Sequence, residues 1–119
     1  MEFKDNKPIY LQIASRICDE ILTHKLSVDE RIPSVREYAA ILEVNTNTVV
    51  RSFEYLQNND IIYNKRGMGF YVAQGAEDVI MNIRKTAFLK DVLPDVFAEM
   101  KILGIGLEEV SDLWRQYTS

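Results

Sequence analysis

The chain has 119 residues, 47% of them hydrophobic, and a formal net charge of −4 from 14 basic and 18 acidic side chains, which suits one compact domain with a short appendage and excludes a disordered tail. Its single cysteine, Cys18, reads as a buried small hydrophobe, and one Cys with one His leaves too few soft ligands for a structural zinc site. No apolar run approaches the roughly 18 residues of a membrane span, and "MEFKDNKPIY" has neither the basic nor the apolar stretch of a secretory leader, so a cytoplasmic protein is expected.

The charge also argues against a generic nucleic-acid binder, whose usual footprint is clustered basic charge. Residues 1–73 carry 9 basic and 10 acidic side chains and residues 74–119 carry 5 and 8, so the front is near neutral and the back acidic. Any binding to DNA must therefore rest on where particular groups sit.

In chain order, Pro8 and the four-residue spacing of Ile9, Ile13, Ile17 and Ile21 predict a helix over roughly 8–24, with Pro at the first position where its missing N–H costs nothing. "SVDERIPS" breaks the pattern at Pro33. Ser34 and Glu37 then have capping-box spacing, opening a second helix over roughly 35–43 that buries Val35, Tyr38 or Ala39, and Leu42. Only Val44 and Asn45 intervene before a third amphipathic segment with Val49, Phe53 and Leu56 on one face, which makes a helix-turn-helix. "DIIY" and "FYV" flank "NKRGMG" as a β-hairpin. Three helices and a hairpin form a mainly α, winged helix-turn-helix domain over residues 1–75.

Residues 76–119 read as helical again. Val79, Ile80, Ile83 and Ala87 fall at helical spacing, followed by Leu93, Phe97 and Met100, with Pro94 either kinking this run or starting a new helix. "GIG" ends it, and Leu107, Val110, Trp114 and Tyr117 form a last stripe whose first turn carries Glu108 and Glu109. Such stripes more often pack on their own domain, but the front of the chain already has a complete core. A second copy is therefore the expected cover, with Val79, Ile80, Ile83, Ala87, Leu93, Phe97, Met100, Leu107, Val110 and Trp114 at a dimer interface. Phe88, Phe97, Met100 and Trp114 are also the residues that would line a small effector pocket, although aromatic and Met residues at this spacing are usually core.

Asn45, Thr46, Asn47 and Thr48 open the third helix, although Asn and Thr are poor formers of a helix interior. The N-terminal residues of the second helix in a helix-turn-helix point at base edges in the major groove, where Asn pairs with adenine and Thr offers both a hydroxyl and a methyl. The plainer alternative is that all four only cap a solvated helix end, a duty Asn45 suits in any case. Ser34 and Arg36 at the start of helix 2, Arg51 within helix 3, and Lys65 and Arg66 beside Gly67 and Gly69 at the hairpin tip fall on one side of the same module. The arginines can reach phosphates or guanines, and the tip can enter a minor groove.

"PIYLQIASRICDEIL" and "RIPSVREYAAILEVNTNTVVRSFEYLQNNDIIYNKRGMGFYV" resemble the DNA-binding domain of the GntR family of bacterial transcription regulators over about residues 8–73. "IPSVRE", "NTVVRSFEYL" and "RGMGFYV" keep the family's order and spacing, and "NTNTVVR" resembles its YtrA-like subfamily. The resemblance implies a DNA contact from Arg36, a major-groove face at Thr46, Asn47 and Thr48, and a wing tip at Gly67 and Gly69. It also implies a short two-helix dimerisation segment in the tail, where "LGIGLEEVSDLW" looks like the end of such proteins. Many members carry an arginine where this chain has Thr46 or Val50, whereas Arg51 matches the YtrA-like pattern.

A homodimeric, sequence-specific DNA-binding regulator is the leading expectation, a repressor on a palindromic operator that the resemblance would place near a transporter operon. A winged-helix protein-interaction adaptor that does not touch DNA is the alternative, favoured by the acidic balance and disfavoured by the cationic tip. No catalytic pair, phosphate-binding glycine loop, metal-ligand cluster or cofactor motif points to an enzyme.

Overall fold

The computed structural model describes residues 7–119; the first six, part of the domain expected over 1–75, lie outside the described residues. Helix α1 (Ile9–Leu22) buries Ile13, Ala14, Ile17, Cys18 and Ile21, while Ile9 at its entrance is exposed. Helix α2 (Val35–Leu42) starts at the expected capping box: the Glu37 N–H donates to the Ser34 hydroxyl at 3.1 Å and the Ser34 N–H donates to the Glu37 carboxylate at 2.9 Å. Tyr38 and Ala39 are both buried, rather than one or the other.

Glu43 leaves the helix in the left-handed region, φ 54° and ψ 49°, so the turn holds Glu43, Val44 and Asn45 and is one residue longer than expected. Helix α3 (Thr46–Asn58) buries Val49, Ser52, Phe53 and Leu56. Buried Ser52 donates its hydroxyl to the Tyr10 carbonyl at 2.7 Å, fastening α3 to the start of α1.

Strands β1 (Ile62–Lys65) and β2 (Gly69–Val72) pair antiparallel, with Ile62 opposite Val72 and Lys65 opposite Gly69. The segment before Pro33 is more than a breaker. Asp29 N–H donates to the Val72 carbonyl at 2.8 Å, Val72 N–H to Glu30 at 3.0 Å, and Ile32 N–H to Phe70 at 2.9 Å, with Arg31 bridged to Tyr71. Residues 29–32 thus satisfy the outer edge of β2 and lead straight into the α2 cap.

Helix α4 (Ala76–Ala87) opens where the second segment was expected and carries Ile80, one of the expected interface residues. The chain divides into two compact units at Met81/Asn82, and Ala76 and Ile80 are 0% and 1% exposed. Ile80 therefore belongs to the chain's own core and is not available to a second copy. Helical spacing identified a buried stripe but not the surface that buries it.

In the unit from Asn82 onward, a π-helical turn (Phe88–Val92) precedes α5 (Leu93–Leu103). Pro94 has no N–H to give, and the widened turn lets Leu93 N–H reach back to the Phe88 carbonyl while Val92 and Leu93 keep right-handed helical angles. Pro94 thus stands in the first turn of α5, directly after a π bulge and with no side-chain cap before it. Gly104, at φ 70°, caps α5, and α6 (Leu107–Thr118) follows Gly106.

Ile80→Ala should lower the unfolding free energy of the full chain by about 2–5 kcal/mol, the range for deleting a buried Ile side chain. Urea denaturation checks this, and a chain ending after residue 75 should unfold at lower urea than one ending after residue 81. A second expectation concerns Glu37, whose carboxyl is held below its ordinary 4.5 chiefly by the Ser34 backbone hydrogen bond, then by the Ser34 hydroxyl, with Arg31 adding attraction. A depressed carboxyl stabilises the fold fully above its ordinary value and loses that effect as pH falls through its folded value. The stability gap between the parent and Glu37→Gln, which cannot ionise, should accordingly shrink as pH drops below 4.5, as followed by thermal melts.

Candidate nucleic-acid interface

Three aromatic rings hold the helix-turn-helix against the hairpin. Phe53 of α3 meets Tyr38 of α2 edge-on at 6.0 Å and Phe70 of β2 edge-on at 5.1 Å. Tyr38 also donates its hydroxyl to Glu20 of α1 at 2.6 Å, and burial followed by that bond pushes its phenol pKa up.

With Val49, Ser52, Phe53 and Leu56 turned inward, helical period leaves the opposite face of α3 to solvent. Thr46 and Asn47 are exposed in the first turn and Thr48 is half-buried. Asn45 is the N-cap, its side-chain oxygen accepting from Asn47 N–H at 2.8 Å. The capping alternative therefore accounts for Asn45, while Thr46 and Asn47 remain exposed at the mouth of the helix. No acidic side chain lies in that first turn, so the positive end of the helix dipole faces solvent unopposed by its own residues.

Ser34 is committed to the α2 cap. Arg36, two residues on, is exposed, and among the described residues neither it nor Arg66 has an ion-pair partner. The Arg51 guanidinium lies 4.2 Å from the centre of the Tyr10 ring, which limits where this exposed side chain can go. At the hairpin, Lys65 ends β1 with its ammonium 4.9 Å from the Tyr71 ring centre. Arg66, Gly67 and Met68 form the turn, closed by Met68 N–H donating to the Lys65 carbonyl at 2.8 Å.

The two glycines differ. Gly67 has φ 77° with nothing within 4 Å of where a Cβ would stand, as suits an open tip. Gly69 has φ 104°, and a Cβ there would stand 3.0 Å from Arg31 Nε, which donates to the Met68 carbonyl at 3.0 Å. Arg31 was not among the sequence candidates, nor were Tyr10, Tyr71 and Asp29. Asp29 accepts from the Tyr63 hydroxyl at 3.0 Å and from Gln74 at 3.3 Å at the base of the wing, and the first of these bonds raises the Tyr63 phenol pKa. Arg31 and Met68 are 37 residues apart, and no local periodicity signals such a pair.

Residues 9–72 match the family described as bacterial regulatory proteins, gntR family. Among curated relatives, the uncharacterized HTH-type transcriptional regulator YhcF of Bacillus subtilis is 34% identical over 98% of this chain and 95% of its own. The HTH-type transcriptional repressor YtrA of the same organism is 28% identical over 92% and 83%. A crystal structure of a GntR-family regulator from Bacteroides thetaiotaomicron superposes with a TM-score of 0.83 at 49% identity, covering 93% of this chain and 96% of that one. The AraR DNA-binding domain in complex with operator ORR3 matches with a TM-score of 0.54 at 27% identity, over 56% of this chain and 80% of that one.

The winged helix expected from the sequence is the fold these relatives share, and the adaptor reading gives way: the chain belongs to the GntR family of DNA-binding transcriptional regulators, and YtrA is among its homologues.

Proposed function

We propose that this protein is a homodimeric repressor of the cytoplasm that occupies a palindromic operator, reading bases with the start of α3 and meeting the duplex with the cations Arg36, Arg51, Lys65 and Arg66. The observation that carries the dimer is the exposure of α5 and α6. No residue of either helix is buried, and Phe97, Leu107 and Trp114 are 53%, 73% and 63% exposed. Helices of 11 and 12 residues are marginal in water without packing, since isolated helices shorter than about 12–15 residues rarely persist. A second copy would cover Ile83, Ala87, Leu93, Phe97, Met100, Leu107, Val110 and Trp114, with half-buried Val79 at the margin.

Repression is supported by the name of the YtrA relative, and a two-fold dimer supports a palindrome, because two copies of α3 would enter major grooves about one helical turn apart. By the same likeness the regulated genes would include a neighbouring transporter operon. A small-molecule effector seated among Phe88, Phe97, Met100 and Trp114 would act through the dimer. Sequencing duplexes selected from random DNA by the purified protein gives the operator; a single, non-repeated half-site would refute the palindrome.

Sedimentation should show a dimer for the full chain and a monomer for a chain ending after residue 81, with operator affinity falling together with dimerisation. A dimeric truncation would move the interface into the winged unit. Arg36→Ala should cost about 1–3 kcal/mol of operator binding if it reaches a base edge, relaxing preference at one position per half-site. Arg51→Ala should instead weaken all sequences alike and flatten the salt dependence. Four cations per chain make eight per dimer, so log K against log salt should be no steeper than about −7.

A further inference from the structure

We propose that Arg31 is a positioning residue for DNA binding: it holds the hairpin tip in one arrangement, so that Lys65 and Arg66 meet the duplex already in place. Three features of the fold converge on this side chain. Its Nε–H donates to the Met68 carbonyl at 3.0 Å, within the turn that carries Arg66. Its backbone is bridged to Tyr71, the residue whose ring lies under the Lys65 ammonium at 4.9 Å. The slot it fills exists because Gly69 lacks a side chain, since a Cβ there would stand 3.0 Å from Nε.

The tip needs such a staple. Gly67 stands in open space at φ 77°, and the turn is otherwise closed by the Met68 to Lys65 backbone hydrogen bond. A short glycine-containing turn samples many conformations, and ordering it on a duplex costs conformational entropy that a pre-set tip has already lost. Arg31 also precedes Pro33 and the Ser34 cap by a few residues, so the same short segment that grips the tip starts α2. The tip of the wing, beyond the strand bonds and the Phe53–Phe70 contact, is thereby tied by this side chain to the segment that starts α2.

This inference rests on the proposed contact of the tip with DNA, and a double-mutant cycle on the full chain separates the two. Binding is measured by fluorescence anisotropy on a duplex selected by the parent protein. Lys65→Ala with Arg66→Ala tests the tip: affinity equal to the parent would overturn that contact and the proposal with it, whatever Arg31 does. With the tip contact upheld, Arg31→Met should weaken binding about tenfold in the parent and have no further effect in the Lys65→Ala, Arg66→Ala background. A loss that persists in that background would show that Arg31 touches DNA itself, and no loss in the parent would show that the staple is idle; either overturns the proposal. Hydrogen exchange supplies a readout without DNA, in which the Met68 amide should exchange faster in Arg31→Met while the melting temperature stays at the parent value. Arg31→Lys, which keeps the charge but lacks the Nε–H that reaches the Met68 carbonyl, should reproduce both the binding loss and its disappearance in the tip-less background. It also serves as the test if Arg31→Met does not fold, and additive losses for it would count against the proposal.

Discussion

Phe53 is the contact on which the presentation of the candidate interface depends. At 2% exposure it stands between Tyr38 of α2 and Phe70 of β2, so one side chain of α3 fixes both its partner helix and the wing. Edge-to-face pairs of this kind contribute about 0.5–1.5 kcal/mol each beyond the area they bury. Their larger effect is geometric. Once Phe53, Val49, Ser52 and Leu56 are committed inward, rotation of α3 about its axis is settled, and Thr46 and Asn47 have only the solvent side left.

Tyr10 performs two tasks that reinforce this arrangement. Its carbonyl accepts at 2.7 Å from the hydroxyl of Ser52, a fully buried polar group whose other partner is the Thr48 carbonyl of its own helix at 3.2 Å. Its ring lies under Arg51, the residue immediately before Ser52. The backbone bond places α1 against α3, and the ring then restrains a cation on the outer face of α3. A structural contact and a cation of the proposed interface are thus set by the same residue.

Much of this was legible in the sequence because it is local. The Ser34 and Glu37 box, the Asn45 cap, the helix-turn-helix and the two-glycine hairpin each declare themselves within a few residues; the two caps stand where expected, while the helix-turn-helix link is one residue longer and β1 lies two residues later than the pattern suggests. What escaped notice involves partners far apart in the chain. The edge bonds of residues 29–32 look like a loop in sequence because Pro33 and the mixed polarity of "SVDERIPS" hide the alternation that puts Ile32 in the core. Ile80 shows the complementary limit, since period 3.6 marks a residue as covered and is silent about what covers it. Gly69 reads as a tip glycine until the Arg31 side chain is seen in the space it leaves.

The net charge of −4, at first an argument against DNA binding, becomes intelligible once the cations are located. Screening confines electrostatic influence to about 8 Å at physiological ionic strength, so acidic residues elsewhere on the chain scarcely oppose a contact made at the interface. What counts there is how much freedom each cation must give up on binding. Arg51 lies over Tyr10, Lys65 over Tyr71, and the turn bearing Arg66 is gripped by Arg31. Few charges held in place are a different solution from many mobile ones. A basic, flexible surface gains affinity for any duplex through counterion release, whereas a sparse and pre-set one gains little from random sequence. With the proposed reading of base edges by the start of α3, discrimination between operator and bulk DNA would depend on those contacts, which is the quantity a regulator working against a genome of competing sites has to raise.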